Sequence, residues 1–394
     1  MSLQDANDYG DFIDSDDDER APEFCEIEES AEPIQQYKKG TFYPVYIGEV
    51  LHGNYHVIHK LGRGGFSSVW MAHDIANHRD VALKIIVSGN SGDHEYNIHQ
   101  QIIRDVKDTS SLLLCLNVFH LEGYQCRRHT VLVLPVQGPS FQMCLYKRPI
   151  AARMSAAWQL LRTLKKLHDA KIVHGATATP LDDRKLNVKH QYLGRPQKIM
   201  LPNTIWKRAD LVLPIAETIS ENLLQDTIYL ADFGLSFKTD QPVPDIKGFP
   251  PGLYRAPELW HGIKCDYARD IWSYMFIFTH LYLGVRPWLG NGSSTVLANM
   301  VKILGPLPQQ RMGHYEHPPS GDVSWYCQSR VPDLRLEALD AKIQRLRPEV
   351  SEIERSHFLS VIAKGFCYLP ENRITAGELL DDESFRALME HYQL

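Results

Sequence analysis

Apolar positions recur along this chain first with the two-residue period of strands and later with the 3.6-residue period of helices. Tyr55-His56-Val57-Ile58-His59-Lys60-Leu61 opens a strand, which turns at a run of glycines and returns through Ser68-Val69-Trp70-Met71-Ala72. A third, β-branched strand is predicted over Asp80 to Val87. Thr130-Val131-Leu132-Val133-Leu134 is another, broken by Pro135, and Gly40 to Gly48 reads as a leading strand with turn residues. Residues 93–107 read as a helix, and 151–169 as a second, with Met154, Ala157, Leu160, Leu161, Leu164 and Leu167 on one face. Residues 178–226, irregular and with several prolines, read as an insertion before a strand over Thr227 to Ala231. The longest apolar run, Ile271 to Val285, is interrupted by Ser273, Thr279 and His280. It is too short to span a bilayer and reads as a buried helix. Strands first and helices afterwards predict an α+β protein. The expected division is a strand-rich part over 37–135 and a helix-rich part over 136–394 that includes the insertion.

Charge adds one feature. Over 394 residues the net charge is −6, yet residues 1–36 hold 13 Asp or Glu against one Arg. The body is therefore mildly basic and the leader strongly acidic. The run Asp14-Ser15-Asp16-Asp17-Asp18-Glu19 is poor in apolar residues, so 1–36 is expected to be a disordered, solubilising tail. A tail folded back on a basic face, or a phosphate acceptor at Ser15, are the sharper alternatives. The seven cysteines form no CxxC pair and their odd number suits a reducing compartment. With no basic segment followed by an apolar one at the start, no secretory signal is read. The expectation is a soluble protein of the cytoplasm or nucleus.

Candidate chemistry begins at Leu61-Gly62-Arg63-Gly64-Gly65-Phe66-Ser67-Ser68-Val69. Glycine at 62 and 64 leaves no Cβ between backbone N–H groups and an approaching phosphate. Alone, such a string is often only a hairpin turn. Its weight changes because Val81-Ala82-Leu83-Lys84 follows at the distance a hairpin return requires. Lys84 is expected to grip nucleotide phosphates and Ala82 to roof the base. Glu95, early in the next helix, is the candidate partner of the Lys84 ammonium, although the gap is short and a solvent-facing glutamate is the plainer reading. Leu134 takes the gatekeeper position, leaving the Pro135 carbonyl and the Gln137 N–H to meet the base. Asp232-Phe233-Gly234 supplies a carboxylate for magnesium. Ala256-Pro257-Glu258 follows 24 residues on and Asp270-Ile271-Trp272-Ser273 after that. Glu258 expects an arginine, and Arg373 is the candidate for a purely structural pair.

In this order the motifs resemble the eukaryotic protein kinases over about 43–390. Within them the chain looks most like the SR-protein-specific kinases, especially the fungal ones. Tyr43-Pro44-Val45-Tyr46-Ile47-Gly48, then Gly53-Asn54-Tyr55-His56-Val57-Ile58-His59-Lys60-Leu61-Gly62, Phe66-Ser67-Ser68-Val69-Trp70, and the long insertion before Asp232 carry that likeness. The resemblance implies a two-lobed protein kinase fold with a β-rich N-lobe and an α-rich C-lobe. It implies use of Mg-ATP and transfer to serine in Arg/Ser-rich splicing factors by a monomer. It implies neither direct nucleic-acid binding nor a membrane partner.

The likeness fails at one place. After Ile172-Val173-His174 the family has an Asp two residues beyond the histidine, a Lys four beyond and an Asn seven beyond. This chain has Ala176, Ala178 and Leu181 there, and Gly175 in place of an arginine. The Asp accepts the substrate hydroxyl proton and the Asn holds a second magnesium. Losing a general base costs about 10²–10⁴ in rate. The chain is then a nucleotide-binding pseudokinase or scaffold, an active enzyme whose coding sequence lost a short piece here, or one in which Asp182, Asp183 and Asn187 substitute. Without the arginine no phosphate-driven switch is expected between 235 and 255, despite Ser236 and Thr239.

Overall fold

The computed structural model describes residues 32–89, 91–138, 148–175, 197–200, 206–212, 226–241, 252–261, 266–290, 293–308 and 336–394, together with two-residue strands at Asp11–Phe12 and Leu181–Asp182. These fall into two units.

The first unit is built on a six-stranded sheet in the order Val50–Leu51, Tyr55–Arg63, Ser67–Asp74, Arg79–Ile86, Arg128–Pro135 and Asn117–Glu122. Every neighbour is antiparallel. Alternation along Arg79–Ile86 sends Val81, Leu83 and Ile85 to one face, with Trp70, Val131 and Val133. Ala82 and Ile86 go to the other, with Leu132 and Leu134. Both faces are covered, which is why these strands read as almost continuous apolar runs.

Two segments outside the predicted strands contribute to this unit. The described residues 197–200 and 206–212 of the insertion, assigned above to the helix-rich part, fall in the first unit. Val212 joins the sheet's main core and Trp206 packs against it, edge-on to Tyr43 at 5.6 Å. Asp210 donates its N–H to Val45 O at 3.0 Å and accepts Ile47 N–H at 3.2 Å. Lys207 Nζ donates to Glu49 Oε2 and Pro44 O, both at 2.7 Å, over the Tyr43 ring. The second lies in the acidic leader, expected above to be a disordered tail over 1–36. Asp11–Phe12 runs parallel to Gln197–Lys198, which continues into a strand antiparallel to Asp210–Val212. Glu32 stands two residues ahead of the helix Ile34–Lys38. Its side chain is fully buried, accepts the Tyr37 hydroxyl at 2.9 Å and pairs with the equally buried Lys60. Burial pulls Lys60 below the usual lysine value and Glu32 opposes that. Counting charges missed this because one carboxylate of the leader has a cation inside the core.

The second unit is helical. Ile150–Asp169 buries the predicted face, Met154, Ala157, Leu160, Leu161, Leu164 and Leu167. Tyr267–Leu283 is buried all round from Asp270 onward, as an interior helix should be. Asp266 caps its start by accepting the Ala268 N–H at 2.9 Å. Gly284 ends it in the left-handed region at φ 75°, its N–H returned to His280 O. Trp272, Phe276, Trp288 and Phe366 form an aromatic cluster on this helix. Glu352–Gly365, Ala376–Asp381 and Glu383–His391 close the unit, the second through a capping box of Thr375 and Glu378. Among the described residues no helix is long and apolar enough to cross a membrane.

Candidate active site

Strand register assembles the first part of the site. Across three strands Val69 stands opposite Lys84 and Lys84 opposite Leu132; two pairs along, Ala82 stands opposite Leu134. Lys84 therefore shares a face with Ala82, and Leu61 and Val69 pack on that same apolar surface beside Leu134. The result is an apolar roof with one ammonium at its edge. Lys84 Nζ donates to Glu95 Oε1 at 2.8 Å, with side-chain exposures of 14% and 5%. His99, one turn on, lies 3.9 Å from the same carboxylate oxygen and accepts the Cys115 N–H at its Nδ1. Glu95 is thus held inside rather than facing solvent.

The glycine turn is informative for what does not occupy it. Neither Gly62 nor Gly65 has a positive φ, and a Cβ built on either would meet nothing within 4 Å. A Cβ at Gly64 would make only ordinary contacts with Ser67. The fold itself does not demand glycine here, and the space beside the turn is open. Arg63 ends the outgoing strand, Phe66 is exposed at the tip, and Ser67 and Ser68 begin the return. Pro135 closes its strand, and just beyond it Gln137 carries a buried Oε1 with no hydrogen-bond partner.

In the second unit a frame surrounds His174 and Gly175. Asp270 lies in the first turn of the buried helix and is itself fully buried. One of its oxygens accepts His174 N–H at 2.7 Å and the other accepts Gly175 N–H at 2.9 Å. His168 Nε2 adds a third contact at 3.1 Å. Ser236 Oγ donates to His174 O at 2.6 Å, and Arg269 donates to Gly175 O. Gly175 sits at φ +82°, and a Cβ there would fall 2.1 Å from the Leu235 carbonyl oxygen. The His174 ring lies edge-on to Phe233 and bonds Ala231 O through Nε2 at 3.1 Å. That carbonyl immediately precedes Asp232, which is exposed and held at φ +69°. A non-glycine residue in the left-handed region is a strain typical of functional sites.

Ionisation follows from burial. Burial lowers the His174 pKa, against the pull of Asp270 and Asp232, so the ring is neutral with its proton on Nε2. Burial alone would raise Asp270, but His168, His174 and Arg269 hold it below the usual range. His129 is also lowered by burial, and His280 is lowered to about 4 by burial with Arg286, Arg153 and Lys342. A histidine kept neutral when folded but titrating near 6.5 when unfolded contributes stability above that pH and loses it as pH falls. Stability measured by urea is expected to be level above about pH 7 and to fall below about 6.5. The slope approaches about 1.4 kcal/mol per pH unit for each such histidine. A curve that stayed flat down to about pH 4.5 would contradict these buried neutral rings.

Glu258 and Arg373 meet in a buried bidentate pair at 2.7 and 2.9 Å. Ala176 and Ala178 lie outside the described residues, as do Asp183 and Asn187; Asp182 ends a two-residue strand. Among the described residues no three His, Cys, Asp or Glu gather as a metal cluster. Asp232 offers one carboxylate, which suits an ion whose other ligands are phosphate oxygens and water. Sequence reasoning passed over His168 and Arg269, and gave Asp270 and Ser236 no part in this frame. An acid in the first turn of an otherwise apolar, buried helix was the available signal for Asp270, since a buried charge requires partners.

A serine/threonine protein kinase of Aspergillus fumigatus is 27% identical over 375 residues, covering 90% of each chain. The serine/threonine-protein kinase SRPK of Physarum polycephalum is 27% identical over 344 residues, 77% of this chain and 76% of its own. SRSF protein kinase 3 of Mus musculus is 29% identical over 206 residues, 49% of this chain and 35% of its own. Its relatives are serine/threonine protein kinases. No family model matches the chain. The two units correspond to the β-rich and α-rich lobes of the protein kinase fold.

Proposed function

We propose that this chain binds Mg-ATP and serves protein serine phosphorylation of the SR-protein kinase type, with Arg/Ser-rich proteins as the substrate class. The observation that carries the reading is the Lys84–Glu95 pair at the edge of an apolar roof beside a turn whose glycines the fold does not need. The roof of Leu61, Val69, Ala82 and Leu134 suits an adenine ring. Lys84 would hold phosphate oxygens and Glu95 fixes its position. ATP supplies the phosphoryl group, and Asp232 would hold its magnesium. Two named SR-type relatives favour the substrate class. The second reading is a nucleotide-binding pseudokinase, and Ala176 with the tightly seated Gly175 favours it.

A paired assay separates them. Thermal stabilisation by Mg-ATP is read beside phosphate incorporation into an Arg/Ser-repeat peptide, with Lys84→Met as control. The variant is expected to lose about 1.5–3 kcal/mol of nucleotide binding, the worth of a hydrogen bond to a charged group. Stabilisation without incorporation supports the pseudokinase; incorporation that Lys84→Met abolishes supports the enzyme. No Lys84-dependent stabilisation at all would defeat both.

A further inference from the structure

A second charged cleft lies wholly within the helical unit. It has a volume of about 310 Å³ and its walls carry Arg148, Arg153 and Arg347 with a single acid, Glu349, beside Leu283 and Val285. Both acids near Arg347 are engaged. Glu349 is 2.9 Å from its Nε. Glu354 is 3.6 Å from Nη1 and also accepts the Tyr282 hydroxyl at 3.0 Å. Arg148 reaches an exposed acid, Asp226, at 3.3 Å.

Arg153 is the unusual member. One of its nitrogens donates to Leu281 O at 2.9 Å, at the end of the buried helix. Its Nε is buried and has no hydrogen-bond partner, and among the described residues no carboxylate lies within ion-pair distance. Burial and the charge of Arg347 both push its pKa down. Its position adds to the cost. Arg153 is in the first turn of Ile150–Asp169, a turn with no acid, and Pro149 offers no side-chain cap. A helix start favours negative charge, yet here two arginines flank it. Cations placed against the helix dipole, with a guanidinium edge left over, call for an anion of matching geometry.

We propose that this cleft is an oxyanion site that takes a phosphate group, free or carried on a phosphoserine side chain. The planar guanidinium fork of Arg153 would meet two oxygens, and Arg148 would neutralise a further charge. The site shares no residue with the nucleotide roof, so it stands whether or not the chain transfers phosphate.

The test uses the full chain and calorimetric titration at constant ionic strength. The probes are inorganic phosphate, a phosphoserine peptide and the same peptide without phosphate. Arg153→Gln and Arg148→Gln are each expected to weaken phosphate-dependent binding roughly tenfold or more. Each variant's unfolding midpoint is read alongside. Arg148 makes no cap to the buried helix, so its variant decides the matter should Arg153→Gln fail to fold. Tighter binding of the phosphopeptide than of phosphate assigns a carried group; equal binding assigns the free ion. Phosphate binding undiminished in the folded variants, or none in the parent, overturns the proposal.

Discussion

Arg373→Ala is expected to be among the most destabilising single changes in this protein, at about 3–5 kcal/mol. Both members of the Glu258–Arg373 pair have fully buried side chains. The guanidinium meets the carboxylate at two points and also donates to Cys367 O at 2.8 Å and Ala268 O at 2.6 Å. It lies 5.0 Å from the Trp272 ring centre. Removing it strands a charged carboxylate and two carbonyls where water cannot replace the lost partner. A buried ion pair often fails to repay its own desolvation relative to an apolar replacement, so the loss measures the orphaned charge. Urea unfolding of the variant and of Arg373→Ala combined with Glu258→Leu checks this. The double variant is expected to recover part of the loss; if it fares worse than the single one, the orphaned-charge account is wrong.

The second large effect belongs to Gly175→Ala, at roughly 3 kcal/mol. Two costs combine. A left-handed backbone disfavours any Cβ, and here the Cβ would sit 2.1 Å from the Leu235 carbonyl oxygen. Relief requires the Leu235–Ser236 backbone to retreat, which loosens the Ser236 bond to His174 O. The same obstacle bears on restoring the family arginine at 175. Exchange at that position alone is expected to unseat the loop. Unfolding of Gly175→Ala at the parent's urea concentration would show that the left-handed turn is not held as described.

What could be read from the sequence was what strand and helix periods dictate locally. Lys84 reaches the roof because alternation along one strand fixes its face, and that alternation is visible in Val81 to Ile86. Glu95 seemed too near in sequence, but the ion pair forms within the same unit. What could not be read were contacts closed over long separations. Nothing local marks Asp210 as the acceptor for Ile47, 163 residues away. Glu32 looked like one more charge of the leader until Lys60 was found facing it. Ser236, where no phosphate switch is expected, is buried and donates its hydroxyl to His174 O, a contact 62 residues away in sequence. Asp270 was noticed only as a landmark, although it holds the backbone on which the missing catalytic acid would hang.

The placement of Trp206 and Val212 in the sheet's core has a consequence for synthesis on the ribosome. The sheet's last strand is finished at Pro135, but a wall of the same core is not made until Val212. At ordinary translation speeds of about 5–20 residues per second, that interval is on the order of ten seconds. During it the nascent sheet keeps an incomplete surface around Tyr43 and Val45, while the helix Ile150–Asp169 is already emerging. This protein therefore cannot finish its first lobe before it begins its second, and the interval is one in which a chaperone would have most to protect.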